Sequence, residues 1–201
     1  MAGRGRPREF DVDEALDRAV DVFWRQGYEG TTLEDLTTAM SISRPSLYSA
    51  FGNKEGTFRL AIDRYAKIEM AYVEEALAKP TVREVAEHYL RGNVIAITLP
   101  GRPAGCLSIQ GGLVGHPQDQ PIVDFLSSSR RAGEARIAER IQEGIDAGDL
   151  PRTENAADLA RYLATATAGL AVQAAGGATR EELMPIVDRF LAAFPQYEAA
   201  R

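Results

Sequence analysis

Between Thr32 and Gly52 the chain carries two apolar-periodic segments, each barely two turns long, separated by Ser41-Ile42-Ser43. Helices that short do not persist alone in water, because nucleating a helix costs more than its few hydrogen bonds return. They must be pinned against a longer neighbour, and one precedes them. Leu16, Ala19, Val20, Phe23 and Trp24 recur at three- and four-residue spacing, which predicts a helix from Val12 to Gln26, capped by Asp11 and stopped at Gly27. The first short segment opens at Thr32, whose partner Asp35 makes a capping box with Asp in place of the usual Glu, and continues through Leu33, Leu36 and Met40. The second runs from Arg44 to Phe51, with Pro45 where no amide donor is needed and Gly52 where a left-handed residue ends the helix.

The remainder also reads as helix after helix, with no stretch of period-2 alternation, so the chain is expected to be all-α with about nine helices. Asn53 caps a long fourth helix predicted from Lys54 to Ala78, its buried stripe Phe58, Ile62, Tyr65, Glu69 and Tyr72. Pro80 closes it, and Thr81 with Glu84 opens a fifth. Pro100 to Gly105 must be a loop. A short helix near Cys106 to Leu113 follows, then a long one from Pro121 to Ala147 ended by Gly148. The last two are expected over Glu154 to Ala175 and Arg180 to Phe194.

Composition excludes several classes. With 45% hydrophobic and 26% charged residues the chain is ordinarily globular, and no apolar run approaches the roughly 18 residues of a membrane span. The start, MAGRGRPREF, has arginines but no apolar run behind them, so no secretory signal is read and a cytoplasmic location is expected. Cys106 is the single cysteine, which excludes an intramolecular disulfide and a thiolate metal cluster. With only His88 and His116, no Ser-His-Asp pattern and no glycine-rich phosphate loop, neither an enzyme nor a cofactor is expected. The net charge of −6 argues against a protein that binds nucleic acid over its whole surface, yet Arg4, Arg6 and Arg8 stand together at the start with no acid among them.

Three front helices, the second and third short and joined by a tight turn, form the pattern of a helix-turn-helix. The stretch from Thr31 to Phe58, TTLEDLTTAMSISRPSLYSAFGNKEGTF, closely resembles the DNA-binding module of the TetR/AcrR family of regulators, with its Thr-led second helix, Leu-Tyr-x-x-Phe recognition helix and following Asn-Lys-Glu. Phe23 to Gly30 fits the end of that family's first helix, so the resemblance covers roughly residues 10 to 65. It departs at Ser41, where the family's turn has glycine, and at Thr37, where it has alanine.

In such a motif the start of the second short helix enters the major groove. Arg44 can fork onto a guanine edge, while Ser43, Ser46 and Ser49, with Pro45 among them, approach bases or phosphates; Leu47 and Phe51 face the core. Tyr48 either packs its ring inward or, as the resemblance implies, reaches a phosphate with its hydroxyl. Lys54 opposes the dipole at its helix start, which a DNA phosphate would explain and which Glu55 would otherwise offset. Thr31 and Thr32 stand where amides and hydroxyls can hold a phosphate, though Thr32 also serves as a cap. The arginine-bearing start is either a solvated tail or, beside a helix-turn-helix, an arm whose Arg4 and Arg6 are expected to enter the minor groove, as such arms do in other folds. These features define a DNA-binding domain over residues 1–53 and an effector-binding and dimerisation domain over 54–201.

One short helix touches few base pairs, so specificity requires two half-sites and a twofold protein. The resemblance implies that the last two helices pair, and Ala164, Ala168, Ala171, Ala175, Leu183, Ile186, Val187, Phe190 and Phe194 are the residues available, unless that face packs within one chain. The resemblance further implies a repressor released from palindromic operator DNA when a small molecule enters the middle helices and moves the fourth helix. Tyr65, Glu69, Tyr89, Asn93, Cys106, Gln110, His116 and Phe125 are the candidate pocket residues. Cys106 is either a reactive thiol or a small buried hydrophobe.

Overall fold

The computed structural model describes residues 10–113 and 115–195, and among these it is all-helical. Arg4 and Arg6 lie outside the described residues. Ten α-helices run in order as α1 (Val12–Gly30), α2 (Leu33–Met40), α3 (Arg44–Phe51), α4 (Lys54–Ile68), α5 (Tyr72–Leu77), α6 (Val82–Ile97), α7 (Leu107–Gln110), α8 (Gln120–Ala147), α9 (Ala156–Ala175) and α10 (Arg180–Ala193), with a 3-10 turn at Pro117–Asp119. No described helix is long and apolar enough to cross a membrane.

The front of the chain follows its local signals closely. The Asp11 carboxylate accepts from the amides of Asp13 and Glu14, Thr32 and Asp35 form the reciprocal capping box, and Pro45 sits in the first turn of α3. Helical geometry in α1 breaks at Gly27, whose φ of 70° and ψ of 177° are open only to glycine; a single turn, Tyr28 to Gly30, follows. α2 rests on α1 through Leu36 and Met40, and α3 is held by α2 and α4 with Leu47 inward, all three side chains essentially inaccessible to solvent.

α1 is locked in turn to α4. Phe23 meets Phe58 edge to face at 4.9 Å, and Trp24 meets Tyr65 at 4.8 Å. Beside them Arg64 grips Asp17 with two parallel bonds of 2.8 and 2.9 Å, the forked geometry that makes an arginine–carboxylate pair directional.

The fourth helix differs from expectation. Instead of one helix from Lys54 to Ala78, the chain breaks at residues 69–71 and restarts as α5. At the break Glu69 pairs with Arg102 of the loop after α6, at 2.5 Å with its side chain 7% exposed. The new direction lays α5 along α6, so that the Tyr72 ring rests on Gly92, where a Cβ would stand only 2.8 Å away. Arg140 of α8 holds the end of α5 by donating to the carbonyls of Leu77, Lys79 and Pro80. No proline or glycine marks this break; tertiary contacts impose it.

The rear helices make the second layer. α8 crosses the start of α6 at Gly144, where an added Cβ would lie 2.2 Å from Val82 Cγ2. α9 packs on α6 and α8, and α10 lies against α6 through Arg91, which reaches Asp188 at 2.7 Å.

This packing corrects half of the proposed pairing face. Ala171, Leu183, Val187 and Phe194 are buried in the chain's own core and offer a partner no surface. Phe190 is half-buried and its carbonyl accepts from the Tyr162 hydroxyl at 2.9 Å. Ala164 and Ala168 are likewise half-buried, and what remains exposed is Ala175 and Ile186, joined by Val172 at 53% exposure and by Gly169, which has open space above it. Helical apolar residues on two sides cannot be assigned to inner and outer faces by spacing alone.

Because α8 touches the start of α6 backbone to side chain at Gly144, Gly144→Ala is expected to lower folding stability by about 1–3 kcal/mol through overpacking against Val82. Guanidinium unfolding followed by circular dichroism measures this.

Candidate nucleic-acid interface and interior polar cluster

α3 divides its residues by side. Leu47 and Phe51, four apart, are buried at 0% and 4% exposure, whereas Ser43, Arg44, Pro45, Tyr48 and Ser49 are exposed. Tyr48, at 50% exposure, turns its ring outward, and Arg44 makes no ion pair among the described residues. Ser43 caps the helix: its Oγ accepts the Ser46 amide at 3.2 Å and lies 2.9 Å from the Ser46 hydroxyl. A short helix therefore presents a row of hydroxyls and one free guanidinium to solvent, held from behind by two buried apolar side chains.

The turn before it has a conformational cost. Ser41 adopts φ 56° and ψ 42°, the one left-handed non-glycine among the described residues, at the position where the resemblance leads one to expect glycine. Arg18 offsets this by donating to the Ser41 hydroxyl at 3.0 Å.

Two expectations at the edge of this surface need correction. Thr31 is buried at 1% exposure, and its hydroxyl donates to the Gly27 carbonyl at 2.7 Å, so its side chain closes α1 and is not offered outward. Thr32 is exposed, but its hydroxyl is engaged in the capping box. Lys54 is neither loosely solvated nor offset by Glu55, which is taken by Arg59 at 2.9 Å. Its Nζ lies 4.3 Å over the Tyr28 ring, and partial burial pushes its pKa down while Asp119 and Glu29 work against that.

In the middle of the molecule a set of polar side chains gathers around one thiol. Cys106 is 6% exposed; the Tyr65 hydroxyl donates to its Sγ at 3.3 Å, and the Ser108 hydroxyl lies 3.0 Å from it. Asn93 donates from Nδ2 to the Tyr72 hydroxyl at 3.0 Å, and the Tyr72 and Tyr89 rings stand 6.0 Å apart. Burial pushes the phenols of Tyr65 and Tyr72 well above their usual range and raises that of Tyr89, so all three stay protonated. Of the pocket candidates, Tyr65, Tyr89, Asn93 and Cys106 come together here. Glu69 does not, being taken by Arg102; Phe125 lies under the Arg59 guanidinium at 4.4 Å; Gln110 and His116 are exposed. Sequence reasoning missed Ser108, Arg130, which donates to the Ser108 carbonyl at 2.7 Å, and Trp24, whose ring meets Tyr65, and it placed Tyr72 only in a packing stripe. The α4–α5 break is what redirects Tyr72. Outside it, a groove of about 640 Å³ runs between the end of α4, α5 and α6, with Tyr72 in its wall.

Comparison with known proteins decides what this arrangement belongs to. The sequence profile of the bacterial regulatory proteins of the tetR family matches residues 15–60. HTH-type transcriptional repressor ComR of Escherichia coli (strain K12) is 33% identical over 195 residues, covering 96% of this chain and 93% of its own. The chain belongs to the TetR family. The uncharacterized HTH-type transcriptional regulator YezE of Bacillus subtilis (strain 168) is 31% identical over 92% of this chain and 96% of its own. In three dimensions the chain is similar to the TetR family transcriptional regulator CifR, solved as a cysteine mutant complexed with 26 bp double-strand operator DNA. That likeness has a TM-score of 0.90 and 43% identity, and covers 94% of this chain and 100% of that one. As a TetR-family chain, the protein is a transcriptional regulator carrying a helix-turn-helix in α2 and α3.

Residue 41 tests the turn directly. Folding stabilities are expected to rank Ser41→Gly at or above the native chain and Ser41→Val below it by about 1–2 kcal/mol, with melting temperatures in the same order, since a β-branched residue is strained at positive φ. Thermal denaturation of the three proteins gives the ranking.

Proposed function

We propose that the protein is a transcriptional repressor that binds palindromic operator DNA as a homodimer and is released by a small-molecule effector. The observation that carries this reading is the division of α3, with Leu47 and Phe51 buried and Ser43, Arg44, Tyr48 and Ser49 exposed. In the major groove Arg44 reads a guanine edge, while Ser43, Ser46, Ser49 and the Tyr48 hydroxyl hold phosphates around it. Lys54 adds a phosphate contact from its place over Tyr28. Arg4 and Arg6 extend the footprint into the minor groove, completing a reading unit of residues 1–53.

The effector unit, residues 54–201, supplies the second copy and the control. Val172, Ala175 and Ile186 are exposed on α9 and α10 with the half-buried Ala164 and Ala168 beside them, and small residues there let two copies approach closely. Support for the DNA half of the reading comes from CifR, which is solved on its operator and shares 43% identity with this chain. The control half rests on the interior cluster, whose side chains come from α4, α6 and the start of α7, with α4 and α7 both packed on α1.

Gel-shift titrations with DNA flanking the protein's own gene test this reading. Arg44→Ala is expected to cost about 1–3 kcal/mol on that operator and to erase preference over unrelated DNA. Lys54→Ala is expected to weaken all sequences alike and flatten the logarithmic salt slope by about one. Equal effects from the two substitutions, or native protein that prefers no fragment, would refute the assignment.

A further inference from the structure

We propose that Tyr28 is the positioning residue for the phosphate contact of Lys54: its ring holds the ammonium just beyond the end of α3 and leaves the N–H donors to the DNA. This rests on the reading above, in which Lys54 grips a phosphate, and adds the residue that aims it.

A lysine in the first turn of a helix has a long flexible stem and a strongly hydrated head, so its charge is ordinarily spread over many rotamers. Lys54 is held instead. Its Nζ stands 4.3 Å from the centroid of the Tyr28 ring, within the range at which an aromatic face binds a cation. Nearby carboxylates do not take it. Glu55 is bound to Arg59 at 2.9 Å, while Asp119 and Glu29 favour the charged amine yet form no ion pair with it among the described residues. The kind of partner matters. A carboxylate would occupy N–H donors and cancel the charge, and a phosphate would have to displace it. A ring is neutral, so it fixes the cation while leaving donors free and leaving the net charge that releases counterions from DNA.

The ring can act as a rest only if it cannot turn away, and three helices hold it. At Gly27 the backbone takes φ 70° and ψ 177°, which ends regular α1 geometry, and Tyr28 opens the single turn that follows. Its ring meets Phe58 edge to face at 5.1 Å and stacks along Phe23 at 6.4 Å. Phe58 stands four residues after Lys54 on α4, so the ring lies along the side of α4 that both residues share. Behind the ring, the Tyr28 amide donates to the Gly111 carbonyl at 3.0 Å. A Cβ at Gly111 would come within 3.2 Å of Phe58 Cζ, so the end of α7 abuts both the tyrosine backbone and the phenylalanine that braces its ring.

The seat of Lys54 is thus built by α1, α4 and α7, and no base-reading residue takes part in it. Its contact adds to binding on every sequence, while Arg44, exposed on α3, keeps the choice among sequences.

Gel-shift titrations over a range of salt, on operator and on unrelated DNA, test this with the native full-length protein, Lys54→Ala, Tyr28→Leu and the double variant. Leucine keeps an apolar side chain against Phe58 and keeps the amide bond to Gly111, but it has no ring face. Tyr28→Leu is expected to weaken both DNAs alike by about threefold or more and to flatten the logarithmic salt slope toward that of Lys54→Ala. On the Lys54→Ala background the same substitution is expected to cost nothing further, which a general loosening of α1 would not produce. Tyr28→Phe, which keeps the ring and loses the hydroxyl, should restore the native slope.

A second measurement uses the native chain alone, so it decides the matter even where Tyr28→Leu does not fold. The chain has three lysines, Lys54, Lys67 and Lys79. Shielding by the ring is expected to set the ε-methylene proton signal of Lys54, identified by its loss in Lys54→Ala, upfield of the other two, and to keep it there when operator is added. The proposal is overturned if that displacement is missing or vanishes on DNA, or if Tyr28→Leu costs as much without Lys54 as with it. It is also overturned if Tyr28→Phe loses as much as Tyr28→Leu, which would give the phosphate contact to the hydroxyl. Lys54→Ala with an unchanged slope defeats the Lys54 contact itself, and the proposal with it. Lys54→Ala that flattens the slope where Tyr28→Leu does not upholds the contact and defeats only the positioning role.

Discussion

The lock between α1 and α4 is the constraint on which the molecule depends. α2 and α3 are too short to stand alone: α2 is held by α1 and α3 by α2 and α4, so both follow the α1–α4 pair, which is fixed by Phe23 on Phe58, Trp24 on Tyr65 and the forked Arg64–Asp17 pair. Each buried aromatic contributes roughly 1.5–3 kcal/mol of apolar burial, several times a surface ion pair. The charge pair therefore serves chiefly to fix rotation about the contact, while the rings hold the two helices together. Whatever moves α4 moves the reading head with it.

Much of this was legible in the sequence because it is written locally. Caps at Asp11, Thr32, Asn53 and Thr81, Pro45 in the first turn of α3, and the glycines at 27, 52 and 148 all sit where the chain uses them. The exposed row on α3 could be foreseen for the same reason: Leu47 and Phe51 announce which side is buried, and the rest follows from helical spacing. Ser41 is instructive, since its left-handed backbone is what the departure from glycine implied, and Arg18, 23 residues earlier, supplies the compensating bond.

The failures share a cause. The break after Ile68, the burial of Thr31, the inward turn of Leu183 and Val187, and the gathering of Ser108 and Arg130 at Cys106 all depend on residues distant in the chain. An apolar stripe states that a face will be covered, not by what. On α9 and α10 this matters most, because the chain covers one apolar side with its own helices and leaves another, around Val172 and Ile186, to solvent. Lys54 shows the same limit: local electrostatics flagged it as unusual, but the aromatic ring that receives it lies 26 residues earlier in the chain, beyond any local pattern.

Trp24 is the chain's single tryptophan, and it stands where the lock and the polar cluster share a wall, its ring on Tyr65 and its N–H without a partner. Indole emission responds to polarity and to nearby hydrogen bonding, and here no second indole dilutes the signal. The protein thus contains an optical gauge of its own interior: light from one side chain registers any slippage between the two helices that orient the DNA-facing surface.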